Sequence, residues 1–170
     1  MDLAQYIRNI PDFPTPGIQF KDITTLLKRK EAFREAIHRL AEALRPAHPE
    51  LVVGIEARGF IIGAPVAYLL ECGFVPVRKK GKLPAETLAK TYQLEYGSAT
   101  LEIHRDAIEA GQRVVVVDDL LATGGTTKAV CEMVEELGGN IVGIGFVIEL
   151  EALRGRERLA KYPVVSLVKL

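Results

Sequence analysis

The stretch VVVVDDLLATGGTT, residues 114–127, constrains the fold of this chain more than any other part of its sequence. Its four consecutive valines predict a strand buried on both faces, because β-branched side chains favour strands and an unbroken apolar run leaves no side for solvent. Asp118 and Asp119 follow directly. Two neighbouring carboxylates repel each other where a strand leaves the core, so we expect a cationic or hydroxyl-rich group to lie against them.

A turn of small residues follows the aspartates and leads into a predicted helix over residues 126–137. Small side chains let backbone N–H groups converge on an anion, threonine hydroxyls add donors, and the amino terminus of the helix adds positive potential. The pattern is not that of a nucleoside triphosphatase loop, because no Gly-Lys-Ser/Thr sequence follows the glycines. The predicted phosphate-binding loop consists of Ala122, Thr123, Gly124, Gly125 and Thr126.

The acidic pair and the loop together indicate the ligand. Vicinal ribose hydroxyls can donate hydrogen bonds to two carboxylates within one sugar's length of a bound phosphate. Asp118 and Asp119 are accordingly predicted to bind the ribose of a ribose 5-phosphate. The alternative is that the Thr-Gly-Gly turn only caps the helix and that the aspartates lie on the surface. That alternative does not explain why an apolar run, an acidic pair and a glycine-rich loop follow one another directly.

The alternation of β-rich and helical segments predicts an α/β fold. Apolar runs without a polar side are typical of parallel strands covered on both faces by helices. Residues 91–104 instead alternate about Gly97 and Ser98, as an antiparallel hairpin does. We expect a mainly parallel sheet flanked by helices. The predicted strands are residues 51–55, 74–77, 113–117 and 141–150, and the predicted helices are residues 31–45, 61–72 and 126–137.

Polar turns follow three of the predicted strands. They are residues 54–60, residues 78–82 and the turn that begins at Asp118. Ligands of open α/β sheets bind outside the carboxyl ends of the strands. The site is therefore expected where these turns meet, at one edge of the sheet.

Length and composition exclude several classes of protein. The 170 residues suffice for a single domain over residues 1–170, and equal numbers of basic and acidic side chains create no field that would hold a nucleic acid or an acidic membrane. No apolar run approaches the roughly 20 residues that cross a bilayer. The two cysteines lie outside any CxxC pattern, which favours the cytoplasm. The three histidines lack the spacing of a zinc site.

Five segments, in the same order, resemble the type I phosphoribosyltransferases and among them the adenine phosphoribosyltransferases. They are PDFPTPGIQFKDIT (11–24), EARGF (56–60), RKKGKLP (78–84), LEYG (94–97) and the acidic stretch at 114–127. The resemblance implies that family's fold, with an N-terminal hood at residues 1–30 and a flexible β-hairpin loop at residues 78–104. It also implies a purine salvage reaction, in which the 5-phosphoribosyl group of phosphoribosyl pyrophosphate moves to N9 of adenine to give AMP and pyrophosphate.

The same resemblance assigns roles outside the acidic stretch. Arg58 is implied to act in catalysis and to bind pyrophosphate, whose negative charge grows as the bond to C1′ breaks. The other implied pyrophosphate-binding residues are Arg78, Lys79 and Lys82. Glu95 is implied as the acid that protonates or hydrogen-bonds adenine N7. Magnesium is the implied cofactor, held mainly by substrate oxygens and water without a direct protein ligand.

Adenine is implied to lie beneath the hood. Three prolines within PDFPTPGIQF forbid a regular helix, so this segment is expected to be extended. Phe20 is implied to stack on the base with Leu120 on its opposite face, and the backbone around Gln19 and Lys21 to contact its edge. The family is typically homodimeric, which is the state we expect here.

Two other functions stay open. A phosphoribosyltransferase for a 6-oxopurine, such as hypoxanthine or xanthine, would share the phosphate-binding loop and differ in the hood. A non-catalytic regulator that senses phosphoribosyl pyrophosphate would carry a DNA-binding element, and the sequence has neither a helix-turn-helix pattern nor a net positive charge. An assay of base specificity distinguishes these alternatives.

Overall fold

A computed structural model describes residues 1–94 and 96–170. The strands are β1 (Arg8–Pro11), β2 (Gln19–Asp22), β3 (Leu51–Ile55), β4 (Gly73–Lys79), β5 (Thr87–Gln93), β6 (Ser98–His104), β7 (Arg113–Leu121), β8 (Asn140–Glu149) and β9 (Val164–Lys169). The α-helices are α1 (Thr24–Leu27), α2 (Lys30–Leu44), α3 (Arg58–Leu70) and α4 (Gly125–Glu136). Short 3₁₀ helices cover Leu3–Tyr6, Arg45–Ala47, Glu151–Leu153 and Gly155–Leu159.

The central sheet has the strand order β5-β6-β4-β3-β7-β8-β9. Strands β4, β3, β7, β8 and β9 are parallel neighbours, whereas β6 pairs antiparallel with both β4 and β5. The mainly parallel sheet and the antiparallel hairpin are therefore both confirmed. A separate antiparallel ribbon of β1 and β2 lies in the N-terminal segment.

Helices cover both faces of this sheet. The core on the side of α2 and α3 contains Val115 and Val117, and the core on the side of α4 contains Val114 and Val116. None of the four valines is exposed to solvent. The unbroken apolar run thus marks a strand that fills two cores at once, as its composition predicts.

The central strand is longer than predicted, and the aspartates are not where the sequence placed them. β7 continues beyond Val117 to Leu121, so the acidic pair lies within the strand rather than after its end. Backbone pairing with β8 continues alongside, with Asp118 opposite Phe146. The pairing with β8 carries the strand past both aspartates, and a cationic partner, described below, compensates one of the two charges.

Other boundaries moved less. α3 begins at Arg58 rather than at residue 61 and ends at Leu70, which leaves Cys72 beyond the helix. β9 was not predicted, and it extends the sheet at the edge beyond β8. Its residues are mostly half-buried rather than fully buried or cleanly alternating, so neither strand signature is strong. Within the described residues, every helix is too short or too polar to cross a bilayer.

The N-terminal segment combines an exposed loop with a buried anchor. Residues 11–19 are exposed, but the segment is not extended throughout as predicted: residues 12 and 14–17 form turns and bends, closed by hydrogen bonds from the N–H of Phe13 to the carbonyl of Ile18 and from the N–H of Ile18 to that of Thr15. Leu3, Ile23 and Leu26 are instead buried in the core formed with α2 and α3. This anchoring holds the β1–β2 ribbon against the body of the protein at the amino-terminal end of α3, where Phe20 approaches Arg58.

Candidate active site

A cleft of about 440 Å³ lies at the carboxyl ends of β3, β4 and β7. The three polar turns identified in the sequence meet there, as expected from the sheet topology. Ten of the residues predicted to bind ligand line it: Arg58, Lys79, Asp118, Asp119, Leu120, Ala122, Thr123, Gly124, Gly125 and Thr126.

Arg58 is the cationic group that the acidic pair required. Its Nε donates a hydrogen bond of 2.5 Å to Oδ2 of Asp119, whose side chain is only 8% exposed. Burial lowers the pKa of the Arg58 guanidinium, but the hydrogen bond to Asp119 and the negative charges of Asp119, Asp118 and Asp22 together outweigh it and raise the pKa above its usual value. The side chain of Arg58 is still 52% exposed, so the guanidinium can also meet a ligand in the cleft.

The environment of Asp118 disfavours the ionised form of its carboxyl group. Its Oδ1 accepts a hydrogen bond of 2.8 Å from the backbone N–H of Asp119. Burial first, and then the charge of Asp119, raise the pKa of the Asp118 carboxyl well above its ordinary value. A hydroxyl donor or a cation that entered the cleft would stabilise its ionised form. Asp118 is thus suited to receive a sugar hydroxyl.

Both aspartates line the cleft although neighbours in a regular strand point to opposite faces. Strict alternation is interrupted at the pair, since Val117 and Leu120 pack against the same core although they are three residues apart. The interruption brings both aspartates to one cleft. Gly59 makes room for the first of them, because a Cβ there would lie 2.8 Å from Oδ1 of Asp118.

The predicted phosphate-binding loop turns tightly between β7 and α4. Gly124 has a φ of +87°, a conformation that favours glycine, and α4 begins at the next residue. The loop residues and the first residues of α4 line the same cleft, where the amino terminus of a helix favours an anion. The loop also contacts the segment after β8 closely, because a Cβ on Gly155 would lie 2.3 Å from the carbonyl oxygen of Ala122.

The basic residues after β4 separate into two groups. Lys79 lines the cleft, but Arg78 and Lys82 do not. Arg78 Nε instead donates a hydrogen bond of 2.8 Å to Oε1 of Glu56, which also accepts from the backbone N–H of Lys79 at 3.3 Å. Burial raises the pKa of Glu56, but these two bonds and the positive charges of Arg78 and Lys79 together lower it below its ordinary value.

Comparison with known proteins identifies the family. A model of the phosphoribosyl transferase domain matches residues 21–169. The adenine phosphoribosyltransferase of Desulfitobacterium hafniense (strain Y51) is 59% identical over 169 residues, covering 99% of this chain and 98% of the relative. The chain belongs to the type I phosphoribosyltransferase family. Its fold agrees with that assignment, as the solved structures of other members show.

Two solved adenine phosphoribosyltransferases illustrate the agreement. The enzyme from Thermoanaerobacter pseudethanolicus superposes with a TM-score of 0.96 at 56% identity, covering 99% of this chain and 98% of that one. The Saccharomyces cerevisiae enzyme, complexed with adenine and an imino-altritol bisphosphate, gives 0.92 at 41% identity, covering 97% and 96%. The similarity therefore extends over nearly the whole of each chain.

In this phosphoribosyltransferase, one of the four implied adenine-binding residues lines the cleft. Leu120 lines it. Phe20 lies beside it, with its ring centroid 5.8 Å from the guanidinium carbon of Arg58. The side chains of Gln19 and Lys21 are each hydrogen-bonded to Asn9, at 2.7 and 2.9 Å, rather than directed into the cleft. Their backbone groups are the part that the sequence implied for binding.

Several residues at the site were missed from the sequence, and Glu95, the implied acid, lies outside the described residues. Tyr92 lines the cleft and is hydrogen-bonded through its hydroxyl to Thr126 Oγ1 at 2.9 Å. Alternation along β5 could have placed Tyr92 on the same face as Lys90, which pairs with Glu132 of α4. Nothing in the local sequence singles out Gly155.

In residues 1–94 and 96–170, no three His, Cys, Asp or Glu side chains form a metal-binding group.

Proposed function

We propose that this chain transfers the 5-phosphoribosyl group of phosphoribosyl pyrophosphate to N9 of adenine, giving AMP and pyrophosphate in purine salvage. The observation that carries the proposal is that an acidic pair, an arginine and a glycine-rich phosphate-binding loop line one cleft. The adenine specificity is supported by the relatives above. They are named adenine phosphoribosyltransferases, and they match this chain over nearly their full lengths.

The cleft has the chemistry for each part of the sugar substrate. Backbone N–H groups of residues 122–126 and the amino terminus of α4 suit the 5-phosphate. Asp118 and Asp119 suit the ribose hydroxyls, which would add donors to the backbone N–H that Asp118 already accepts from. Arg58 and Lys79 are the cationic side chains that line the cleft and would face the pyrophosphate.

These residues stabilise charges that develop during transfer. The bond from C1′ to a pyrophosphate oxygen breaks and its electron pair leaves with pyrophosphate, while the N9–C1′ bond forms and adenine releases a proton. Positive charge builds on the sugar, as in other glycosyl transfers. Glu95 is proposed to protonate or hydrogen-bond N7 of the base, and Arg58 to stabilise the departing pyrophosphate.

Magnesium is proposed as the cofactor. It favours phosphate oxygens and keeps part of its water shell, so it would enter with phosphoribosyl pyrophosphate and neutralise part of the pyrophosphate charge. The carboxylates of Asp118 and Asp119 are oxygen donors of the kind it prefers, and they line the same cleft. We place them in contact with the ion through water.

We further propose that residues 1–170 form a single domain and that the protein is a cytoplasmic homodimer. The single domain is supported by the hood residues Leu3 and Ile23, which are buried in the same core as α2 and α3. The dimer is supported by Ile61 and Tyr68, which are 45% and 83% exposed and lie two turns apart on α3. Sedimentation equilibrium would give the dimer mass, and a monomer mass would contradict it.

The reaction is tested by identifying its products. Protein, adenine, phosphoribosyl pyrophosphate and Mg²⁺ are incubated together, and nucleotides are separated chromatographically with pyrophosphate measured in parallel. We expect AMP and pyrophosphate in equal amounts, and a large loss of both when Mg²⁺ is chelated. Arg58→Met provides a matched inactive protein, since it removes the guanidinium and keeps a side chain of similar length. Pyrophosphate without AMP would contradict the proposal.

A further inference from the structure

The hairpin of β5 and β6 contacts α4 and the phosphate-binding loop through one face of β5. The hydroxyl oxygens of Tyr92 and Thr126 are 2.9 Å apart. Two residues earlier on the same face, Lys90 forms an ion pair with Glu132 in α4. The opposite face of β5 is exposed, and Thr91 there is hydrogen-bonded to Thr100 of β6 at 2.8 Å. The first face of β5 therefore contacts the phosphate-binding loop and α4, whereas Thr91 on the opposite face contacts β6 within the hairpin.

A threonine hydroxyl has one donor hydrogen and two acceptor lone pairs. If the Thr126 hydroxyl donates to a bound phosphate oxygen, it can still accept a hydrogen bond from another group. Tyr92 is placed to give that bond, since its phenolic hydroxyl lies within hydrogen-bonding distance. A chain from Tyr92 through Thr126 to phosphate would orient the hydroxyl toward the ligand, and each bond in such a chain strengthens the next.

We propose that Tyr92 is a positioning residue for the 5-phosphate and acts through Thr126. It fixes the direction of the Thr126 hydroxyl, and it thereby couples occupation of the phosphate-binding loop to the seating of the hairpin on α4. The proposal rests on the proposed function, because it needs a phosphate in the loop. It adds a residue from a separate element, β5, to the phosphate site.

A double-mutant cycle tests the coupling. Dissociation constants for phosphoribosyl pyrophosphate and for ribose 5-phosphate are measured by calorimetry, with Mg²⁺, on the full-length wild type, Tyr92→Phe, Thr126→Val and the double variant. We expect Tyr92→Phe to weaken both ligands about 3- to 10-fold, the value of one neutral hydrogen bond. In the Thr126→Val background the same change should weaken them less than about 2-fold.

Two further variants keep the result interpretable. Thr91→Val removes the matching hydroxyl contact on the exposed face of β5 and should leave both affinities unchanged. Thr126→Ser keeps the hydroxyl, so in that background Tyr92→Phe should again weaken the binding of both ligands about 3- to 10-fold.

An equal loss from Tyr92→Phe with and without the Thr126 hydroxyl would overturn the inference, as would no loss in the wild-type background. Failure of the proposed function looks different, because a wild type that binds phosphoribosyl pyrophosphate but makes no AMP would refute the reaction and leave the cycle measurable. A wild type that binds neither sugar phosphate would overturn both.

Discussion

Gly155 offers a sharp test of how the phosphate-binding loop is held. A Cβ added there would lie 2.3 Å from the carbonyl oxygen of Ala122 and 3.1 Å from the backbone nitrogen of Gly124. Comfortable contacts begin at about 3.5 Å, so Gly155→Ala must separate two backbone segments by about 1 Å. Neither neighbour is a flexible side chain, and the strain therefore falls on the loop itself.

The expected cost follows from that overlap. Overpacking of this kind costs about 1 to 3 kcal/mol. In a chain of this size each kcal/mol lowers the melting temperature by about 2 to 4 °C, so Gly155→Ala should melt about 2 to 12 °C below the wild type. A loop displaced by about 1 Å should also lower kcat/KM for phosphoribosyl pyrophosphate by about 10- to 100-fold.

Differential scanning calorimetry and steady-state kinetics measure the two effects. Gly73→Ala is the matched control, because its Cβ would meet only the flexible Leu51 side chain, at 2.9 Å, at the end of β4 remote from the cleft. It should keep wild-type kinetics. Wild-type melting and kcat/KM in Gly155→Ala would refute the claim that close backbone packing against residue 155 positions the loop.

Three other predictions concern titratable groups. Glu95→Gln should lower turnover by about ten- to ten-thousand-fold with little change in affinity for phosphoribosyl pyrophosphate; full activity would remove Glu95 from the mechanism. Asp118→Asn should weaken sugar-phosphate binding by calorimetry about 10- to 100-fold, yet melt no lower than the wild type, because the raised pKa of Asp118 shows that its ionised form is unfavourable in the unliganded fold; unchanged affinity would contradict the ribose role. Hydrogen bonds from Thr24, and then from Arg8, lower the pKa of Asp22 from 3.8 to about 2. Its stabilisation is therefore complete above pH 3.8 and is lost as the pH falls through about 2. When unfolding is measured against falling pH, Asp22→Asn should lack the loss of stability that protonation of Asp22 causes in the wild type. Identical acid-unfolding curves for the two proteins would exclude this contribution of Asp22.

The parts of the site that sequence predicted best are local. The acidic pair, the phosphate-binding loop and the start of α4 are contiguous in the chain, and their spacing alone indicates an anion site beside two carboxylates. The parallel sheet followed from apolar runs such as residues 113–117. These features depend on backbone conformation and composition over a few residues, which a sequence states directly.

The parts that it missed depend on tertiary contacts. Arg58 and Asp119 are separated by 61 residues, and the sequence suggested a cation without showing which one. Arg78 belongs to the implied pyrophosphate set, yet it does not line the cleft and is instead hydrogen-bonded to Glu56. Gly155 matters because two distant segments of backbone meet. The strand continues through the aspartates because its backbone stays paired with β8, which is also a distant segment.

Base specificity tests the central claim most directly. Pyrophosphate release is measured with phosphoribosyl pyrophosphate and Mg²⁺ in separate reactions with adenine, hypoxanthine, guanine, xanthine and orotate. We predict release with adenine alone. Release with a 6-oxopurine instead would contradict the adenine assignment while leaving the sugar-phosphate site intact, and tight binding of phosphoribosyl pyrophosphate without release in any reaction would contradict the assignment of an enzyme.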